Sequence, residues 1–127
     1  MTLDFAMPVL VVDDYSMVAR ILGRLLKQAG FANVDEATDG EEALAKMRER
    51  KYGLVISDWH MAPTSGIELL RQAKADEQLR DIPFIMVSAE AAPENAALAK
   101  AEGASSYVVK PFDSQVLKGR IQGVFGP

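Results

Sequence analysis

The sequence has no cysteine and a single histidine, His60. The first absence excludes zinc ribbons, iron–sulfur clusters, thiol nucleophiles and disulfide scaffolds. The second leaves no two-histidine metal site. There is no excess of positive charge: 14 Lys+Arg stand against 18 Asp+Glu, a formal net charge of −4, whereas a nucleic-acid groove wants a basic face. The longest apolar run, Phe5 to Val12 with its proline counted, is eight residues, against the roughly 20 that a membrane helix needs. The start, Met1-Thr2-Leu3-Asp4, lacks the basic region ahead of an apolar stretch that marks a secretory signal. What is there is enough apolar residue, 49% of 127, for a chain that size to bury roughly two-thirds of its unfolded surface without a staple. The expectation is one soluble, cytoplasmic, monomeric, acidic domain over residues 1–127, binding neither nucleic acid nor membrane.

Five short apolar runs punctuate the chain: Val9 to Val12, Val34 to Ala37, Leu54 to Ile56, Phe84 to Val87 and Tyr107 to Val109. The first, third and fourth are continuous and rich in β-branched residues, as strands covered by helices on both faces are. Helical periods fill the gaps. Val18, Ile21, Leu22, Leu25, Leu26 and Ala29 form one apolar stripe that Gly30 closes. Asp39 before Glu42, and Ser65 before Glu68, read as helix N-caps with their box partners. A fourth helix is expected from near Pro93 to Gly103, and a fifth after Asp113 with Val116, Leu117, Ile121 and Val124 facing inward. A βα unit repeated five times predicts an α/β fold, a parallel sheet with right-handed crossovers and helices on both faces.

In such a sheet, ligands bind beyond the C-terminal ends of the strands. Those ends carry Asp13-Asp14, Asp58, Ser88 and Lys110-Pro111. Each residue has an ordinary reading: Asp14 precedes a helix and serves equally as a turn former or cap, Ser88 is a common loop residue, and Lys110 alone is a solvated lysine. Together they place three carboxylates, a hydroxyl and an ammonium on one edge. Three carboxylates held close repel one another and call for a cation. Mg²⁺ suits them, since it takes one or two carboxylates and completes its shell with water and phosphate oxygens. A carboxylate can act as nucleophile and form an aspartyl phosphate, with Lys110 and Ser88 binding the phosphoryl oxygens. No Gly-rich phosphate loop or Walker motif points to a bound nucleotide as the source.

The motifs Val11-Val12-Asp13-Asp14, Ile56-Ser57-Asp58-Trp59-His60-Met61, Val87-Ser88-Ala89-Glu90-Ala91 and Tyr107-Val108-Val109-Lys110-Pro111-Phe112 resemble, in order and spacing, those of the bacterial response-regulator receiver family. The resemblance runs from Pro8 to Phe125, and several stretches are most similar to the single-domain chemotaxis regulators. It implies a flavodoxin-like sheet with strand order 2-1-3-4-5. It implies Asp58 as the phosphoacceptor, charged by a histidine kinase of the chemotaxis type. It also implies Mg²⁺ held by Asp13, Asp14, Asp58 and the backbone carbonyl of His60. Lys110 would bind the phosphoryl group, its bond to Pro111 being usually cis in the family. Ser88 would be the switch hydroxyl and Tyr107 the aromatic that swings inward when Ser88 engages phosphate, with an output surface over residues 92 to 125. Trp59 is expected partly exposed near the site, and Met61 as packing. The sequence departs from the related chemotaxis regulators at His60, often asparagine there, at Ala62-Pro63, where the proline comes one place late, and at Ala91-Ala92-Pro93, where lysines are common.

The resemblance thus implies a phosphoacceptor signalling protein without an output domain. It would be no conventional enzyme, although it would catalyse its own phosphorylation and dephosphorylation with Mg²⁺. The implied partners are the kinase, a flagellar motor switch protein and a phosphatase. The alternative is a relay or sink exchanging phosphate with a histidine phosphotransfer protein. A flavodoxin-like electron carrier is disfavoured because Asp13-Asp14-Tyr15-Ser16 puts negative charge where a flavin phosphate would sit. A Mg²⁺-dependent phosphatase usually wants a second acid two residues after the nucleophile, where this chain has His60.

Overall fold

Alternation within each strand sends neighbouring residues to opposite faces, and here both faces are apolar. The computed structural model describes residues 4–61, 64–89, 92–110 and 112–125. Strands β1 (Val9–Val12), β2 (Val34–Ala37), β3 (Leu54–Asp58), β4 (Phe84–Ser88) and β5 (Ser106–Val109) alternate with helices α1 (Ser16–Gln28), α2 (Gly40–Glu49), α3 (Gly66–Ala75), α4 (Pro93–Ala101) and α5 (Ser114–Phe125). The sheet is parallel with the order β2-β1-β3-β4-β5, as the resemblance implies. Asp58 and Ser88 are the last residues of their strands, as the strand-end reading has them.

Two apolar layers result. Leu10, Val12, Val55 and Met86 pack with Leu44, Leu70 and Ala99 of α2, α3 and α4. Val9, Val11, Ile56, Ile85 and Val87 pack with Leu22, Leu26, Leu117 and Ile121 of α1 and α5. Burial of this kind contributes about 1.5–3 kcal/mol per large side chain.

The helix signals act as read. Asp39 accepts the Glu42 N–H at 2.7 Å, and Glu42 reaches back to the Thr38 N–H at 2.6 Å. Ser65 accepts the Glu68 N–H at 3.2 Å. Gly30 and Gly103 take φ of 111° and 109°, a backbone region that glycine enters without strain.

Two inward assignments are corrected. Ile21 is 48% exposed and Val116 45%. At 100° per residue Ile21 lies about 200° round the helix from Ala19, and the face centred on Ala19, Leu22, Gly23 and Leu26 is the buried one. Val116 flanks the α5 stripe, which consists of Leu117 and Ile121.

Candidate functional site

The ends of β3 and β4 and the residues just after β1 and β5 build one corner of the molecule, and backbone hydrogen bonds hold them. The Asp13 N–H donates to the Ala37 carbonyl at 3.1 Å, Trp59 N–H to Val87 at 2.9 Å, and Lys110 N–H to Ser88 at 2.8 Å. These bonds continue the parallel ladder past the assigned strands and hold the acidic and basic side chains at the same level.

The side chains converge. Asp13, Asp14 and Asp58 each present a carboxylate oxygen within 4.8 Å of the others. Lys110 Nζ lies 3.0 Å from Asp58 Oδ1 and 3.3 Å from Asp13 Oδ2. Asp13 is fully buried and Asp58 only 7% exposed, while Asp14 is exposed. Ser88 is buried at the end of the neighbouring strand. Of the five groups that the strand-end argument joins, the three carboxylates and the ammonium meet at one edge, and Ser88 ends the strand beside Asp58.

Asp14 does not cap α1. The residue at the cap position is Tyr15, with no side-chain hydrogen bond there. Instead Asp13 Oδ1 accepts the Tyr15 N–H at 3.0 Å, which leaves the neighbouring Asp14 carboxylate at the mouth of the cluster.

Electrostatics follow from burial against pairing. Burial pushes the Asp13 carboxyl above its ordinary range, and the Tyr15 N–H and the Lys110 ammonium offset this only in part. For Lys110, burial pulls the other way, but hydrogen bonds and charge from Asp58 and Asp13 outweigh it and hold the ammonium above its usual value. One ammonium faces three carboxylates, so the corner keeps an excess of negative charge. Its donors are hard carboxylate oxygens, one exposed and two recessed, with no sulfur or imidazole in the set. That donor chemistry fits Mg²⁺, which prefers oxygen and retains water.

Gly66 belongs to the site and was not singled out by its sequence pattern. Its N–H donates to the Trp59 carbonyl at 2.9 Å. A Cβ there would run into the Asp58 carbonyl oxygen and lie 2.8 Å from Met86 Cε. Glycine at this point lets α3 start directly against the backbone that carries Asp58. A glycine after a serine cap gives no such signal in sequence.

The remaining candidates fall as follows. Trp59 is half-buried and packs against the core with its ring against Tyr107. Tyr107 is 8% exposed, so its ring already lies inward. Met61 is buried in the core, and His60 is exposed next to the acids. The Pro111 end of the Lys110–Pro111 bond, the Ala62-Pro63 pair, Glu90 and Ala91 lie outside the described residues. A cavity of about 640 Å³ opens at the opposite edge of the sheet, between Met7, Gly53 and Pro83; these precede β1, β3 and β4, so it takes no part in this chemistry. No helix among the described residues is long and apolar enough to cross a membrane.

With the geometry in place, the chain can be set beside known proteins. Residues 9–122 match the family model described as response regulator receiver domain. A chemotaxis protein CheY of Pseudomonas aeruginosa is 43% identical over 119 residues, covering 94% of this chain and 96% of that protein. The structure of the Vibrio cholerae chemotaxis protein CheY4 superposes with a TM-score of 0.86 at 34% identity, over 94% of this chain and 98% of that one. The signal receiver domain of a histidine kinase from Syntrophus aciditrophicus does so with a TM-score of 0.82 at 27% identity, over 94% and 89%.

Proposed function

This chain belongs to the response regulator receiver family, a family of signalling proteins rather than conventional enzymes, and from that premise we propose that it is a chemotaxis-type regulator switched by phosphorylation of Asp58. The observation that carries this reading is the contact of Lys110 with both Asp58 and Asp13, at 3.0 and 3.3 Å, beside the exposed Asp14. An ammonium bound to the nucleophile's own oxygen marks the place where a transferred phosphoryl oxygen would later sit.

In the proposed step a carboxylate oxygen of Asp58 attacks the phosphorus of a phosphohistidine on the partner kinase. The P–N bond breaks, its electron pair returns to the imidazole, and an acyl phosphate forms on Asp58. Lys110 holds the attacking carboxylate in line and then pairs with the phosphoryl oxygens, a charge-assisted contact. Ser88, buried on β4, donates its hydroxyl to another of those oxygens. Asp13, Asp14, Asp58 and the His60 carbonyl would hold Mg²⁺, which supplies neutralisation of the negative charge that transfer concentrates in this corner.

The phosphoryl group then biases an equilibrium between two arrangements of Ser88 and Tyr107, read by a partner on the surface of α4, β5 and α5. We read the module as a single cytoplasmic receiver, a monomer that a phosphatase resets. Identity of 43% to a chemotaxis protein over nearly its whole length supports a flagellar motor switch as the output. The likeness to a receiver domain of a histidine kinase favours a second reading, exchange of phosphate with a histidine phosphotransfer protein.

Acetyl phosphate with Mg²⁺ tests the acceptor. The expected result is one phosphoryl group per wild-type chain and none on Asp58→Asn with an unchanged circular dichroism spectrum; label retained on the variant would move the acceptor elsewhere. Beryllofluoride-loaded protein, offered a motor-switch peptide and a histidine phosphotransfer domain, separates the two outputs.

A further inference from the structure

The chain's single tryptophan sits immediately after Asp58, and its backbone is held on both sides. Its N–H donates to Val87 and its carbonyl accepts from Gly66, each at 2.9 Å. Trp59 therefore cannot slide; only its side chain can move. The indole packs on the core layer that contains Tyr107, and the two rings meet edge to face, centroids 6.0 Å apart and planes at 83°. That is the geometry aromatic quadrupoles favour. Tyr107 stands on the edge strand opposite Met86. Val109 on the same strand and Leu98 on α4, which packs against that strand, are exposed.

A path of direct contact thus runs from the acceptor, through one peptide bond and one ring contact, to the face that a partner would read. It does not pass through Ser88. Resting on the proposed function above, we propose that Trp59 is a positioning residue for the switch: its indole holds the Tyr107 ring in the buried position and is a second input, beside Ser88, to the equilibrium between buried and exposed Tyr107.

The physical case is that the two rings share one space. If Tyr107 swings out, the indole loses its edge-to-face partner and an apolar face opens to water. If the indole turns, the pocket that accepts the phenol ring changes shape. Edge-to-face pairs of this kind shift an equilibrium by roughly two- to tenfold beyond simple burial, enough to set the resting position of a switch whose states lie close in energy.

The test uses the full chain with ring-labelled tyrosine, the Tyr107 resonances being assigned from Tyr107→Phe, and beryllofluoride plus Mg²⁺ as the probe. In Trp59→Leu, the ratio of buried to exposed Tyr107 should fall by about two- to tenfold before any probe is added. The probe-induced shifts at Leu98 and Val109 should grow in step, because the probe then has more exposed Tyr107 to draw inward. Trp59→Phe, which keeps a ring, should restore most of both. Populations and probe response like wild type in Trp59→Leu would overturn the proposal, as would equal effects of Leu and Phe. Should Trp59→Leu fail to fold, Tyr107→Leu read through Trp59 emission decides: a shifted spectrum is expected, and an unchanged one counts against it. If beryllofluoride moves no resonance of the wild type, the phosphoacceptor reading fails, while the Tyr107 populations of the variants still decide the role of Trp59.

Discussion

Lys110 Nζ reaches Asp58 Oδ1 across 3.0 Å, although 52 residues separate the two in the chain. The same ammonium reaches Asp13, 97 residues away. One cation thus balances two recessed carboxylates, and a third, Asp14, stands in the same cluster. This imbalance is where stability and function pull in opposite directions.

Asp13 is fully buried and its carboxyl is pushed above the ordinary range by that burial. Keeping it charged costs the fold free energy, so Asp13→Asn should stabilise the metal-free protein by about 0.5–2 kcal/mol, the usual gain from relieving a strained functional position. The variant should at the same time lose most of the Mg²⁺-dependent change in Trp59 fluorescence. Urea unfolding with and without Mg²⁺, with a fluorescence titration alongside, reads both effects; a variant that titrates like wild type would remove Asp13 from the ligand set.

Gly66→Ala sets a methyl group against the Asp58 carbonyl and Met86. The backbone on one side or the other must move, at a cost of about 1–3 kcal/mol. Because the displaced group belongs to Asp58, the proposed acceptor, phosphoryl uptake from acetyl phosphate should fall by at least tenfold even in the fraction that stays folded. Gly119→Ala, inside α5 where a Cβ meets nothing within 4 Å, serves as control: it should leave phosphoryl uptake unchanged and raise stability by about 0.5–1 kcal/mol through helix propensity.

Away from the site, the Tyr52 hydroxyl donates to Asp35 at 2.7 Å and Arg50 reaches the same oxygen at 2.6 Å. The Tyr52 hydrogen bond above all, then Arg50, holds the Asp35 carboxyl below its usual range against a desolvation that raises it. Burial, then the Asp35 hydrogen bond and charge, pushes the Tyr52 phenol up to about 12. The signs follow. The depressed carboxyl contributes stability that is present above its unfolded pKa of about 3.9 and lost as pH falls through the lower folded value. The raised phenol contributes stability present below its unfolded pKa of about 10 and lost toward pH 12. The stability difference between wild type and Tyr52→Phe should therefore be flat from about pH 5 to 9 and shrink at both ends. A difference that grows at alkaline pH would contradict it.

Much of this was legible in the sequence because strand ends are cheap to locate. Asp13, Ser88 and Lys110 each close an apolar run and Asp58 follows one after Ser57, and a parallel sheet brings such ends to one edge. Asp39 and Ser65 were legible because capping is local, the partner lying three residues on. Ile21 and Val116 were misjudged because an apolar residue at helical spacing fits a stripe whether or not the helix turns it toward the sheet. Gly66 was illegible for another reason. Its requirement comes from the Asp58 carbonyl, and the path of the intervening loop brings the two together. The ring contact of Trp59 with Tyr107 likewise needs both side chains placed before it can be seen.

The order β2-β1-β3-β4-β5 has a consequence for how the protein comes into being. The acids arrive early, just after β1 and at the end of β3, but their counter-charge follows β5, the fifth strand of the sheet to leave the ribosome. Until then the growing polypeptide carries Asp58 without the ammonium that pairs with it. The acidic corner is thus balanced only once β5 has joined the sheet, and a product terminated before Lys110 keeps three clustered carboxylates without their ammonium.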